Sequence, residues 1–200
     1  MARWTDYQLS RLETIFAIIV LLIILSAILN RVVVYLTMAE QALVTNIVTN
    51  INTALRLTEA EYVAGGRESE LPDLAGSNPV ELITARPANF TEQLSQRPDH
   101  QALLNLGAGR PLPNYLGSFE NPTPDEYKRG SWYFDESEQA MVYMVRNREL
   151  FRSSLRGPER IRFRVELNYH DRNGNGRYDR GVDEYRGIRL ESLDGYEWLI

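Results

Sequence analysis

TIFAIIVLLIILSAIL, from Thr14 to Leu29, carries no formal charge, and after Asn30 and Arg31 the apolar run resumes as VVVYLTMA, Val32 to Ala39. A perpendicular crossing of a bilayer takes about 20 apolar residues. Leu12 in front, Val32 to Tyr35 behind and an Arg31 side chain that snorkels to the headgroups complete that length. The pattern predicts a transmembrane helix over residues 14–35, with residues 1–13 as a short cytoplasmic head or leader-like segment. A cleaved signal peptide and a buried core helix are the competing readings of such a run. Glu13 at its start, and no small-x-small site before a break in the helical pattern, weigh against cleavage. Arg3 and Arg11 precede the span and Arg31 follows it, so the charge bias toward an inside N-terminus is modest. The short N-terminal segment and long trailing part favour the same orientation.

Neither Gly nor Pro occurs between Arg31 and Leu57. Apolar residues recur at Val33, Leu36, Leu43, Ile47, Ile51 and Ala54, close to one helical stripe, while Thr45, Asn46, Asn50 and Asn52 fall largely off it. The helix is therefore expected to run from about residue 8 to about residue 62, on the order of 80 Å at the α-helical rise. Residues 36–64 are its amphipathic continuation, and Gly65 and Gly66 stop it. Glu13 stands out at the lip of the span. An unpaired carboxylate is costly within a membrane, so it should find a partner or stay at the interface, where Arg11 and the helix N-terminus are the nearest candidates.

Outside the span, roughly 140 to 150 residues remain, enough for one domain with its own core. The net charge of -5 and pI near 5.2 argue against a basic nucleic-acid footprint. No cysteine is present, which excludes disulfides, thiolate metal sites and thiol nucleophiles, and the two histidines, His100 and His170, cannot make a multi-histidine centre.

Residues 65–129 hold most of the prolines, in phrases such as SNPVEL, ARPANF, GRPLPN and ENPTPDEY that signal turns. Short helices are expected at Pro79 to Thr84, capped by Ser77 or Asn78, and at Phe90 to Leu104 around Pro98. From Gly130 the pattern turns to strands: Trp132 to Phe134, Ala140 to Arg146, Arg160 to Tyr169 and Glu184 to Leu190, with Tyr196 to Ile200 as a short edge. Ile161, Phe163, Val165 and Leu167 alternate with Arg162, Arg164, Glu166 and Asn168, as expected for a sheet with one buried and one solvated face. The reading is an α+β fold: a long N-terminal helix, transmembrane then amphipathic, packed on a small antiparallel β-sheet over residues 130–200.

Between the last two long strands, Asp171, Asn173, Asn175, Gly176, Arg177 and Asp179 reproduce positions one, three, five, six, seven and nine of a calcium loop. A hard cation wants several oxygens, alternate side chains of a tight loop point inward, and Gly176 permits the sharp turn. Arg177 would offer its backbone carbonyl. Val182 stands where a bidentate Glu is usual, so Asp183 or Glu184 would have to substitute. The alternative is a metal-free hairpin turn, because NGNG suits positive φ and Arg172, Arg177 and Arg180 can neutralise the carboxylates. Calcium, if bound, would rigidify the domain with affinity in the weak range of roughly 10⁻⁴ to 10⁻³ M.

Leu9, Ser10, Arg11, Leu12 and Glu13 before the apolar run resemble the start of mature type IV pilins and pseudopilins, which begin like F-T-L-I-E. Gly130 to Asn147, GSWYFDESEQAMVYMVRN, is similar to the Gly-x-Trp strand, polar turn and Tyr-x-Val strand of pilin-like heads. Gln8 stands where that family's leader ends in Gly or Ala. The resemblance implies a pilin-like fold and a non-enzymatic, structural subunit of a type IV pilus-like or type II secretion filament. Its partners would be other pilin-like subunits and the bacterial inner membrane, with the C-terminal domain periplasmic or extracellular. It gives Glu13 the role of the family's fifth-position glutamate, which pairs with a neighbouring subunit's N-terminal amine. The other reading is a monomeric, membrane-anchored calcium-binding periplasmic module, accessory to an envelope or secretion complex. No nucleophile elbow, phosphate loop or zinc helix motif occurs, both histidines read as exposed, and no small-molecule substrate is inferred.

Overall fold

The structure, a computed structural model, describes residues 2–84 and 112–200, with side chains from residue 11 onward. The helix expected at Phe90 to Leu104, and His100 with it, lie outside the described residues. The first element, α1 (Ala2–Ala64), is one unbroken helix of 63 residues. It reaches further at both ends than the expected 8 to 62, because no Gly or Pro interrupts it. Its end is a Schellman arrangement: Arg67 N–H donates to Tyr62 O at 2.8 Å and Gly66 N–H to Val63 O at 3.0 Å, with Gly66 at φ +68°.

The two halves of α1 differ in what surrounds them. Leu12, Phe16, Leu21, Ile23, Leu29 and their neighbours are all exposed, and this stretch is long and apolar enough to cross a membrane. Further on, Thr37, Glu40, Val44, Ile47, Ile51, Ala54 and Thr58 are buried against the head. Their spacing alternates threes and fours, a continuous seam. The expected stripe is thereby corrected at two positions: Leu36 and Leu43 are 54% and 47% exposed, and Thr37, Glu40 and Val44 take the inward face. Thr37 tolerates burial because its hydroxyl donates to Val33 O at 3.0 Å.

A 3-10 turn at Glu68–Leu74 and α2 (Pro79–Thr84) follow. Asn78 caps α2 as expected, its Oδ1 accepting Val80 N–H at 3.0 Å. The same side chain, through Nδ2, donates to the Tyr115 hydroxyl and Ser118 Oγ, both at 2.9 Å, and ties α2 to the sheet.

Among the described residues, seven strands build the head: β1 (Tyr115–Phe119), β2 (Trp132–Asp135), β3 (Ala140–Met144), β4 (Phe151–Ser153), β5 (Arg160–His170), β6 (Glu184–Ser192) and β7 (Tyr196–Trp198). Five form a sheet of order β1-β2-β3-β5-β6, while β4 and β7 pair separately. The sheet is mixed rather than wholly antiparallel, since β1 runs parallel to β2. Residues 120–131 supply the crossover that a parallel pair requires. They also cover the outer face of β2 and β3: Tyr127 stacks on Tyr133 at 4.4 Å, and Val142, Met144 and Tyr133 are buried there. Hence β2 and β3 have two buried faces, whereas β5 keeps the expected alternation, with Ile161, Phe163 and Val165 inward. Ile51, Leu55, Trp132, Tyr143, Phe163 and Leu190 belong to the larger core, which joins α1 to the inner face.

Candidate functional site

Among the described residues, three places carry chemistry beyond packing. The first is the N-terminal end of α1, where Arg11 and Glu13 are both exposed. Two residues apart on a helix, they point about 200° from one another and do not face as a pair.

The second is the loop between β5 and β6. The chain curls around Asp171, whose Oδ1 accepts Gly174 N–H at 2.6 Å and whose Oδ2 accepts Gly176 N–H at 2.7 Å. Gly176 N–H foremost, with the neighbouring backbone amides, holds the Asp171 carboxyl below the ordinary range. Asn173 and Asn175 each place Nδ2 at 2.6 Å from Asp179 Oδ2, and their own Oδ1 atoms accept Asn175 N–H at 3.1 Å and Arg177 N–H at 2.8 Å. Thus three predicted ligands, Asn173, Asn175 and Asp179, converge on one point. Two amide donors there satisfy the carboxylate as a cation would, and turning each amide over would present oxygens instead. Asp183 does not join them. It is buried, its two oxygens taken by Arg172 N–H at 2.9 Å and Asp179 N–H at 2.7 Å, so it closes the loop from below. Among the described residues no three Asp, Glu, His or Cys side chains gather as a metal cage, so an ion here would depend on the asparagine oxygens. Of the nearby cations, Arg172 pairs with Glu184 at 3.3 Å and Arg180 with Asp73 at 3.4 Å, both away from Asp171 and Asp179.

Sequence reasoning missed the third place, which centres on Glu40. This carboxylate is 7% exposed and takes four donors: the Tyr143 hydroxyl at 2.8 Å and Arg146 N–H at 2.6 Å on Oε1, Asn147 N–H at 2.9 Å and Asn147 Nδ2 at 2.7 Å on Oε2. Burial, then the bond to Glu40, pushes the Tyr143 phenol well above its ordinary value. One acid on α1 thereby fixes the end of β3 and the turn after it. Beside it a groove of about 220 Å³ runs between α1 and the β1–β2 end of the sheet, with Leu36, Leu43, Trp132 and Arg146 in its walls. The signal was present in the sequence as phase: Glu40 falls three and four residues from Thr37 and Val44, on the seam that continues to Ile47 and Ile51.

No family model, curated protein or solved structure matches the chain.

Proposed function

We propose that this protein is a non-enzymatic, membrane-anchored structural subunit of pilin-like kind, which assembles with similar subunits through its N-terminal helix and carries its α+β head outside the bacterial inner membrane. A type IV pilus-like or type II secretion filament is the setting its N-terminal pattern resembles. The observation that supports the reading is the continuity of α1: one helix supplies an apolar half left wholly exposed and a seam buried in the head. An exposed apolar surface of that length needs lipid or other helices around it. A plain tether would not need to be rigidly joined to the domain it holds. Glu13, at the lip of the apolar half, sets the axial register between neighbouring helices in this reading.

The chain has no cysteine, so a single engineered one reports its own neighbours. With Leu22→Cys in membranes, oxidation should give a disulfide-linked dimer, the limit for one thiol per chain, and Glu13→Ala should abolish it. A dimer yield unchanged by Glu13→Ala removes the register role. A chain that stays monomeric on oxidation removes assembly and leaves the second reading, an anchored calcium-binding module.

That second reading draws on the convergence of Asn173, Asn175 and Asp179 in a loop curled around Asp171. In it, calcium between the β5 and β6 ends stiffens the head, and Asp183 keeps the loop ends together. At 10 to 100 times a weak extracellular dissociation constant, binding would add about 1.4 to 2.7 kcal/mol of stability. The head should then melt higher in calcium than in chelator, and Asn175→Ala should erase the difference. A melting temperature indifferent to chelator assigns the loop to its amide donors alone.

A further inference from the structure

We propose that the groove beside Glu40 seats the anionic headgroup of one bilayer phospholipid, with its phosphate on the Arg146 guanidinium and an acyl chain descending along Leu36 and Val32 into the membrane. This rests on the anchored part of the reading above and not on filament assembly. Height along α1 is the first argument. The apolar span closes at Tyr35, the groove begins at Leu36, and Glu40 stands about 7 Å further along the axis. Headgroups occupy a layer of about 5 to 8 Å on each side of the hydrocarbon, so a head rigidly joined to α1 holds this groove within it.

Surface continuity is the second argument. Leu25, Leu29, Val32 and Leu36 are all exposed and follow one another at steps of four, three and four. They form one apolar track from the span to the groove, which continues past Ala39 to Leu43. A lipid chain can follow this track without crossing a polar residue.

Charge is the third. Arg146 gives its backbone N–H to Glu40, and its guanidinium lies instead across Gly130, where an added Cβ would come within 2.5 Å of Nη2. Glycine at that position leaves room for the guanidinium to lie flat. Among the described residues no carboxylate pairs with it, and Glu40 has its four donors already. A guanidinium fork matches phosphate oxygens well. A second copy of α1 is the rival occupant, but its apolar face would leave that cation unanswered, and burying an unpaired charge is costly. The cavity of about 220 Å³ suits a glycerol phosphate better than a helix or a whole lipid.

Native mass spectrometry of the full chain, released from nanodiscs of mixed phosphatidylcholine and phosphatidylglycerol, tests this. The wild-type protein should retain one phosphatidylglycerol. Arg146→Gln should lower that retention about tenfold, the loss of one charge-assisted contact, while Arg148→Gln keeps it. Since Glu40 is held by the Arg146 backbone, the head of Arg146→Gln should melt as the wild type does; if it does not, Leu36→Gln on the exposed face of α1 replaces it with the same expected loss. Equal retention by both proteins, retention of phosphatidylcholine alone, or a lipid-free dimer overturns the proposal. A chain that never enters the nanodisc overturns the anchor as well, which separates the two failures.

Discussion

Glu40 shows what one residue contributes when a helix is nailed to a sheet. Its carboxylate is buried without a cation in hydrogen-bond contact, and the four donors around it come from β3 and the turn at Arg146 and Asn147. Removing the acid leaves those donors facing a void, and unmet buried donors cost more than a met bond returns. Glu40→Ala should destabilise the head by about 3 kcal/mol, measured by denaturant unfolding. Glu40→Gln should cost less, since it keeps the shape and turns only one acceptor into a donor. The hydroxyl partner adds a pH signature. Burial raises the Tyr143, Tyr133 and Tyr185 phenols above the ordinary 10.0. A pKa raised on folding gives stability that is whole below the unfolded value and lost as pH climbs through the folded one. The head should therefore weaken above pH 10, by about 1.4 kcal/mol per pH unit for each such tyrosine at most. Tyr143→Phe should flatten that slope, and an unchanged slope would remove Tyr143 from the account.

At the scale of elements, legibility in the sequence followed how local the determining forces were. The end of α1 at Gly65 and Gly66, the cap at Asn78 and the alternation of β5 depend on neighbours a few residues away, and the sequence displays them. The parallel strand Tyr115–Phe119 depends on a partner beyond a crossover, and its Gly117 and flanking Pro113 and Asn114 gave it the look of a turn. Likewise Phe151–Ser153 is a strand only because Tyr196–Trp198 lies against it, with Phe151 on Trp198 at 4.8 Å. Asn52 is the most telling case. As a polar residue it reads as solvent-facing, yet its Oδ1 accepts Leu190 N–H at 2.7 Å and its Nδ2 donates to Leu190 O at 3.3 Å. The side-chain amide stands in for one rung of a further strand and closes the open edge of β6. Burial of polar groups, at Asn52 as at Glu40, was illegible because an apolar pattern records only hydrophobic contacts. In the loop after β5, the spacing of Asp171, Asn173, Asn175 and Asp179 marked them as a group, and Asn173, Asn175 and Asp179 meet at one point while Asp171 holds backbone amides. It gave no sign that Asp183 turns inward to the backbone.

Across the whole molecule, α1 acts as a rod whose two ends have fixed rotational phase. The seam from Thr37 to Thr58 locks one end to the head through Glu40 and Asn52. Any face the apolar half presents to a neighbour is thereby fixed relative to the head. A helix advances about 100° per residue, so one alanine inserted between Tyr35 and Leu36 turns the span by that angle while leaving every head contact intact. Seven inserted residues, nearly two turns, return it to within about 20°. If subunits assemble through one face of the span, the Leu22→Cys disulfide dimer should vanish with the single insertion and return with seven, while the head melts identically in all three proteins. A dimer yield equal in all three would mean that α1 is a tether, with the head free to take any azimuth above the membrane. A dimer lost in both would place the constraint in height, because seven residues also lift the head by about 10 Å, as expected if headgroup contact at Arg146 helps to hold the rod in position.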